Sequence, residues 1–137
     1  MGHVYAEITL KNATDVVNVK RGIMKEEEIR QTTVQSMVDT GAGTLIINEA
    51  IQQALGLESQ GKRALYLANN TIEMCDFTEP VAIHWKNRQT ITSARVMPCV
   101  DEVLLGSIPL LDMDLIVDPA RQSLTGAHGD RVLCKAK

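Results

Sequence analysis

The chain has 137 residues, a net charge of −3 and an apolar fraction of 45% that contains only 3% aromatics. That length fits one domain over 1–137, able to bury about two-thirds of the surface its unfolded chain would expose, in a core of Val, Ile, Leu, Met and Ala. No basic cluster interleaved with aromatics points to nucleic acid, and no apolar stretch approaches the roughly 20 residues of a membrane span, so neither is an expected partner.

Val4, Ala6, Ile8 and Leu10 alternate with polar neighbours and predict a half-buried strand. Lys11 to Asp15 then reads as a polar turn, and Val16-Val17-Asn18-Val19 as a second strand. The run Lys25-Glu26-Glu27-Glu28 predicts a solvated loop, after which Ile29 to Val38 is a third strand. That strand ends at Asp39-Thr40-Gly41-Ala42. An Asp on a tight turn at a strand end presents a carboxylate to a cleft, with backbone amides close by and the Thr40 hydroxyl able to lock the turn.

Asn48 to Gly56 predicts a short helix, with Asn48 as N-cap, Glu49 at the positive end of the dipole and Gly56 as the stop. Ile51, Ala54 and Leu55 form its apolar face. Ala64-Leu65-Tyr66-Leu67 and Thr71-Ile72-Glu73-Met74 flank the turn Ala68-Asn69-Asn70, a hairpin in which Asn tolerates left-handed backbone. Val81, Ile83 and Trp85 begin another hairpin, returning through Thr90 to Met97. Leu104-Leu105-Gly106 precedes a short helix with Pro109 in its first turn and Leu110 and Met113 on its buried side. Leu115-Ile116-Val117 and Ser123-Leu124-Thr125 are late strands. Gly126 to Lys137 stays open between a flexible tail and a strand contributed to a dimer sheet, with Val132-Leu133 as its apolar anchor.

Other chemistries do not assemble. His3, His84 and His128 lack ligand or triad spacing, and no phosphate-cradling Gly loop or Ser elbow is present. Asp112, Asp114 and Asp118 read as caps and turn residues, since a hard-cation site wants more oxygen ligands in one loop. The expectation is chemistry without metal or cofactor. Cys75, Cys99 and Cys134 are odd in number and widely spaced, which fits reduced thiols. With no basic segment followed by an apolar run at the start, a cytoplasmic location is expected.

The ordered combination of apolar-Asp39-Thr40-Gly41-Ala42 and, downstream, Leu104-Leu105-Gly106 before a short helix and an Ile116-Val117-Asp118 strand resembles the retropepsin-like aspartic proteases. It spans roughly Val34 to Leu124. The resemblance implies an all-β fold, a closed β-barrel with one or two short helices, acting as a homodimer. It implies an aspartic endopeptidase in which Asp39 from each subunit forms a pair that shares a proton, holds a water and cleaves an extended peptide or protein substrate. Thr40 would brace the two turns at the dimer axis, Gly41 would permit the turn's backbone, and Val38 and Ala42 would be buried beside the Asp. Leu105 and Gly106 would pass beneath the active loop, and Ala68, Asn69 and Asn70 would form the tip of a flap over the substrate.

The sequence departs from the pattern at Gly43, where a side chain is more usual, at the flap tip, which lacks Gly, and at Ser107, where viral members carry Arg. It looks like a cellular, prokaryotic-type member. The alternative is a non-catalytic dimerisation or peptide-binding module on the same fold, though such a module has no physical need for an intact Asp39-Thr40-Gly41-Ala42.

Overall fold

The computed structural model describes residues 3–98 and 100–133. Strand β1 (Val4–Asn12) buries Ala6, Ile8 and Leu10 as its alternation predicts, but it runs on through the expected turn. Asn12 ends it as a helix N-cap, its side chain accepting from Asp15 N at 3.1 Å, and α1 (Ala13–Lys20) follows. The strand predicted over Val16–Val19 is therefore helical: a specific cap outweighs the modest β preference of three valines. Asp15, 2% exposed, closes the arrangement by accepting from the Arg30 guanidinium at 2.9 Å through both carboxylate oxygens and from Arg30 N at 3.0 Å.

The acidic run forms an exposed 3-10 turn, Glu26–Glu28. Strand β2 (Gln31–Val38) pairs antiparallel with β1, from Lys11 opposite Gln31 to Val4 opposite Val38, and so carries the chain directly to Asp39. Strand β3 (Leu45–Ile47) is buried throughout. Helix α2 (Glu49–Leu55) has the predicted ends: Asn48 accepts from Ile51 N at 2.9 Å, and Gly56 takes the left-handed conformation with φ 63°. Leu55 is buried and Ile51 half-buried, whereas Ala54, expected on the apolar face, is exposed.

Strands β4 (Ser59–Tyr66) and β5 (Ile72–Thr78) form one hairpin, and β6 (Val81–Trp85) and β7 (Arg88–Thr92) another. The run expected to continue as one strand to Met97 breaks at Ser93, because Ala94 N turns to donate to the buried Thr78 hydroxyl at 3.0 Å. Strand β8 (Ala94–Val96) then leaves β6 and β7 to pair in parallel with β3. Strand β9 (Leu104–Leu105), α3 (Ser107–Asp112), β10 (Leu115–Asp118) and β11 (Ser123–Gly126) complete the order.

The main sheet has nine strands in the order β4-β5-β8-β3-β9-β2-β1-β6-β7, and β10-β11 form a separate pair. The fold is thus mostly β, with three short α-helices where one or two were expected. Among the described residues the pairing ends at β4 and β7, and no ladder joins them into a closed barrel. The core gathers Ile8, Leu10, Leu45, Ile47, Leu55, Ile83 and Leu105 from across the sheet. Leu110 and Met113 anchor α3 to it, as predicted.

Sequence reasoning missed Arg88. Its buried guanidinium donates through Nη1 to the carbonyls of Met113 at 2.9 Å and Asp114 at 2.7 Å, and through Nη2 to that of Gly129. A cation on the last carbonyls of a helix meets the negative end of its dipole, so Arg88 caps α3 and secures the segment beyond β11. Asp114 (φ 55°) holds the same segment, pairing with His128 Nδ1 at 2.7 Å and accepting from Leu133 N at 3.0 Å. The His128 bond is the main cause that lowers the Asp114 carboxyl below its ordinary range. Val132 and Leu133, expected as an apolar anchor, are 49% and 42% exposed. Residues 134–137, the rest of the proposed tail, and Cys99 lie outside the described residues; Cys75 is a free, buried thiol.

Candidate active site

Two segments far apart in sequence build the Asp39 turn. Strand β9 inserts between β2 and β3, parallel to the first and antiparallel to the second, so that Val38 lies opposite Leu105. Met37 N donates to Val103 O at 2.8 Å and Asp39 N to Leu105 O at 3.0 Å, which fixes the backbone up to the aspartate itself. Beyond it, Ala42 N donates back to Asp39 O at 3.0 Å, and Gly41 N donates to Asp39 Oδ1, also at 3.0 Å. The carboxylate is thus held by its own turn, the local bonding that Asp favours.

The underside of the turn rests on the entrance to α3: Ser107 N donates to Ala42 O at 2.8 Å and Ile108 N to Gly43 O at 3.2 Å. Gly106 lies at this junction. A β-carbon there would stand 2.3 Å from Thr44 O, 2.6 Å from Thr44 N and 2.7 Å from Ala42 O, all of them backbone atoms. The residue must be glycine for space, since its φ of −91° is open to any side chain.

Gly41 has a related role and not the one expected. It does not adopt a left-handed φ; a side chain there would begin 3.2 Å from Asp39 Oδ1 and crowd the carboxylate. Val38 and Ala42, expected to be buried beside the Asp, are half-buried, as is Asp39, and Thr40 is exposed.

Asp39 opens into a cleft of about 590 Å³. Its floor includes Gly41, Ala42 and Gly43, and the β4–β5 hairpin lines it from the other side with Leu65 to Ala68 and Asn70. The hairpin turn has Asn70 at φ 65°, so Asn supplies the left-handed position without glycine. Asn69 does not line the cleft. Its Oδ1 accepts from Thr71 N at 3.1 Å and Thr71 Oγ1 at 2.5 Å, so it stabilises the tip from within.

Ile46, Met97, Val100 and Leu104 complete an apolar wall that sequence patterning did not reveal. Met97 and Val100 are placed by Met97 N donating to Ile47 O at 2.9 Å and by Asn48 Nδ2 donating to Val100 O at 3.3 Å. The only local signal for the second contact was Asn48 itself, read solely as a helix cap.

Tyr66 also lines the cleft, whereas the other Asp and His residues singled out from the sequence do not. Asp112 accepts from the Thr90 hydroxyl at 2.5 Å and Asp118 from Ala120 N at 3.0 Å. Among the described residues no group of three His, Cys, Asp or Glu side chains is placed to hold a metal ion. His84 is half-buried, and burial pushes its imidazole below the ordinary range. No helix among the described residues is long and apolar enough to cross a membrane.

A family model described as aspartyl protease matches residues 26–126. No curated protein matches the chain in sequence. Among solved structures, the chain is similar to the retroviral protease-like domain of Ddi1 from Leishmania major, with a TM-score of 0.56 and 13% identity, covering 91% of this chain and 88% of that one. It is also similar to a retropepsin-like aspartic protease from Rickettsia conorii, with a TM-score of 0.48 and 19% identity, covering 85% of this chain and 77% of that one. At these identities the likeness is one of fold.

Proposed function

Because the chain belongs to the aspartyl protease family and has the retropepsin-like fold, we propose that it is an aspartic endopeptidase whose catalytic group is Asp39, one carboxylate from each chain of a homodimer. Residues 1–137 act as one domain in this reading. The observation that carries it is the coincidence of an oriented carboxylate, bonded to Gly41 N at 3.0 Å, with a 590 Å³ cleft lined by that turn and by a hairpin.

One carboxylate cannot serve as acid and base together. Two placed side by side repel when both are ionised, so a single proton stays between them and leaves one of each. The ionised member takes a proton from water as the water oxygen bonds to the scissile carbonyl carbon, and the protonated member gives its proton to the carbonyl oxygen. Collapse of the tetrahedral species breaks the C–N bond: the protonated member gives its proton to the departing nitrogen while the ionised member takes one from a hydroxyl of the diol, so the pair again holds a single proton.

Thr40, exposed beside Asp39, braces the two turns across the axis; Leu105 and Gly106 hold each turn from below. The substrate lies extended in the cleft under Ala68 and Asn70, bound by backbone hydrogen bonds and by the apolar wall.

Asp39→Asn tests the reading. Cleavage of a peptide library should vanish while the circular dichroism spectrum and the sedimentation coefficient stay those of the wild type, because the amide keeps the shape and cannot carry the shared proton. Full activity in a folded Asn variant would remove Asp39 from the mechanism. Wild-type dimers that cleave nothing would favour the peptide-binding module.

A further inference from the structure

A second cavity, of about 380 Å³, opens between the β6–β7 turn and the β10–β11 hairpin and shares no lining residue with the Asp39 cleft. Three cations line it, Lys86, Arg88 and Arg121, together with two carboxylates, Asp118 and Asp130. What the cavity suits depends on which of these charges are already engaged.

Arg88 is 4% exposed, and among the described residues no carboxylate forms an ion pair with it. Its Nη atoms donate to carbonyls, and the Asp114 carboxylate turns instead to His128 Nδ1 and Leu133 N. Arg88 Nε is the one buried side-chain nitrogen or oxygen among the described residues that has no hydrogen-bond partner. A buried cation without a counter-charge is unfavourable, and a negative charge set beside it offsets part of that penalty.

The two exposed cations are also weakly engaged. Lys86 sits at the hairpin turn with φ 51°, its Nζ 4.7 Å from the Trp85 ring centre and in no ion pair among the described residues. Arg121 meets Asp118 only at 3.9 Å, with its side chain 84% exposed. Asp118 is held by its own turn, where Oδ1 accepts from Ala120 N at 3.0 Å and Arg121 N at 3.3 Å. That leaves the exposed Asp130 as the one carboxylate of the lining that opposes three cations.

We propose that this cavity binds a small oxyanion, the phosphate or carboxylate group of a ligand, held by Lys86 and Arg121 beside the buried charge of Arg88. Its volume takes a small molecule that carries such a group. The site uses no part of the Asp39 turn and is independent of the peptidase reading.

The test is an NMR titration of the isotope-labelled full chain with sodium phosphate and, separately, sodium acetate, at constant pH and with ionic strength held by sodium chloride. Saturable amide shifts confined to 85–88 and 118–130 are expected with at least one of them, and the tighter of the two tells a phosphate ligand from a carboxylate one. Lys86→Gln with Arg121→Gln, two changes at exposed positions, should melt like the wild type and weaken that binding by at least about tenfold. Asp130→Asn, which removes the opposing charge, should tighten it. Lys20→Gln with Arg21→Gln, an equal loss of charge at exposed positions outside the cavity, should leave it unchanged. Should the first pair misfold, Arg121→Gln alone gives the same readout with a smaller change. No saturable shift with either anion, or wild-type affinity in the folded Lys86 and Arg121 variant, would overturn the site. An equal loss in the Lys20 and Arg21 variant would overturn it too, since it would mark a general effect of net charge.

Discussion

Gly106→Ala adds a single methyl group where the backbone leaves no room for it. Its β-carbon would sit 2.3 Å from Thr44 O, 2.6 Å from Thr44 N and 2.7 Å from Ala42 O, whereas real β-carbon contacts essentially never fall under 3.0 Å. None of these neighbours is the end of a flexible side chain. To restore contact distance, β9 and the 42–44 backbone must separate by several tenths of an ångström, which strains the bonds from Ser107 N to Ala42 O and from Asp39 N to Leu105 O. Overpacking of this kind costs about 1 to 3 kcal/mol, and three simultaneous backbone clashes place this case near about 3. With roughly 4 °C per kcal/mol for a chain of this size, the melting temperature should fall by about 12 °C. Turnover should fall by at least about tenfold even well below the new melting temperature, because catalytic geometry is sensitive to displacements of about 1 Å. Calorimetry beside a fluorogenic peptide assay measures both. A melting temperature within about 1 °C of wild type and unchanged turnover would show that β9 does not support the Asp39 turn.

Two further outcomes follow from the geometry. The Arg30 hydrogen bonds lower the Asp15 carboxyl below its ordinary range, so its contribution to stability is present in full above about pH 4 and is lost as pH falls through the depressed folded value. Asp15→Asn should cost about 1 to 3 kcal/mol in urea unfolding at pH 7, with a difference that narrows in acid, and a pH-independent difference would contradict the assignment. Amides of residues 65–74 should exchange more slowly when an uncleavable extended peptide binds. Exchange unchanged there but slowed over 85–90 would transfer the lid to the β6–β7 hairpin.

The sequence was legible where a local rule and the tertiary structure agree. Asn48 and Gly56 bracket α2 because cap and stop act within a few residues, and Asn70 takes its left-handed turn for the same reason. It was misleading where two local rules compete. Val16–Val19 has the composition of a strand, but Asn12 accepts from Asp15 N, and Asp15 pairs with Arg30, a partner 15 residues away. The break at Ser93 depends on Thr78, and the cleft wall at Met97 and Val100 depends on Ile47 and Asn48; no window on the sequence contains those pairs. The candidate site divides in the same way. Asp39, Gly106 and the hairpin turn carry short motifs, whereas the capping by Arg88 becomes visible only when α3 is placed against β7.

The cleft joins a rigid half to a compliant one. Below, Asp39 is tied through β2 and β9 to the buried centre of the sheet, where Leu105 is 0% exposed. Above, β4 is an edge strand, and β5 meets the rest of the sheet through the Phe77–Arg95 pair of β8. That root is reinforced by Arg63, whose guanidinium carbon lies 4.1 Å from the Phe77 ring centre, and by Arg95 at 5.8 Å. Past the root the hairpin leaves Tyr66, Ile72 and Met74 between 61% and 68% exposed, with few apolar contacts to hold it. Segments with so little buried contact open at low free energy. On the proposed peptidase reading, a root fixed by Phe77 and a loosely held tip would let the β4–β5 hairpin move about its base over an extended peptide while the carboxylate beneath stays in place.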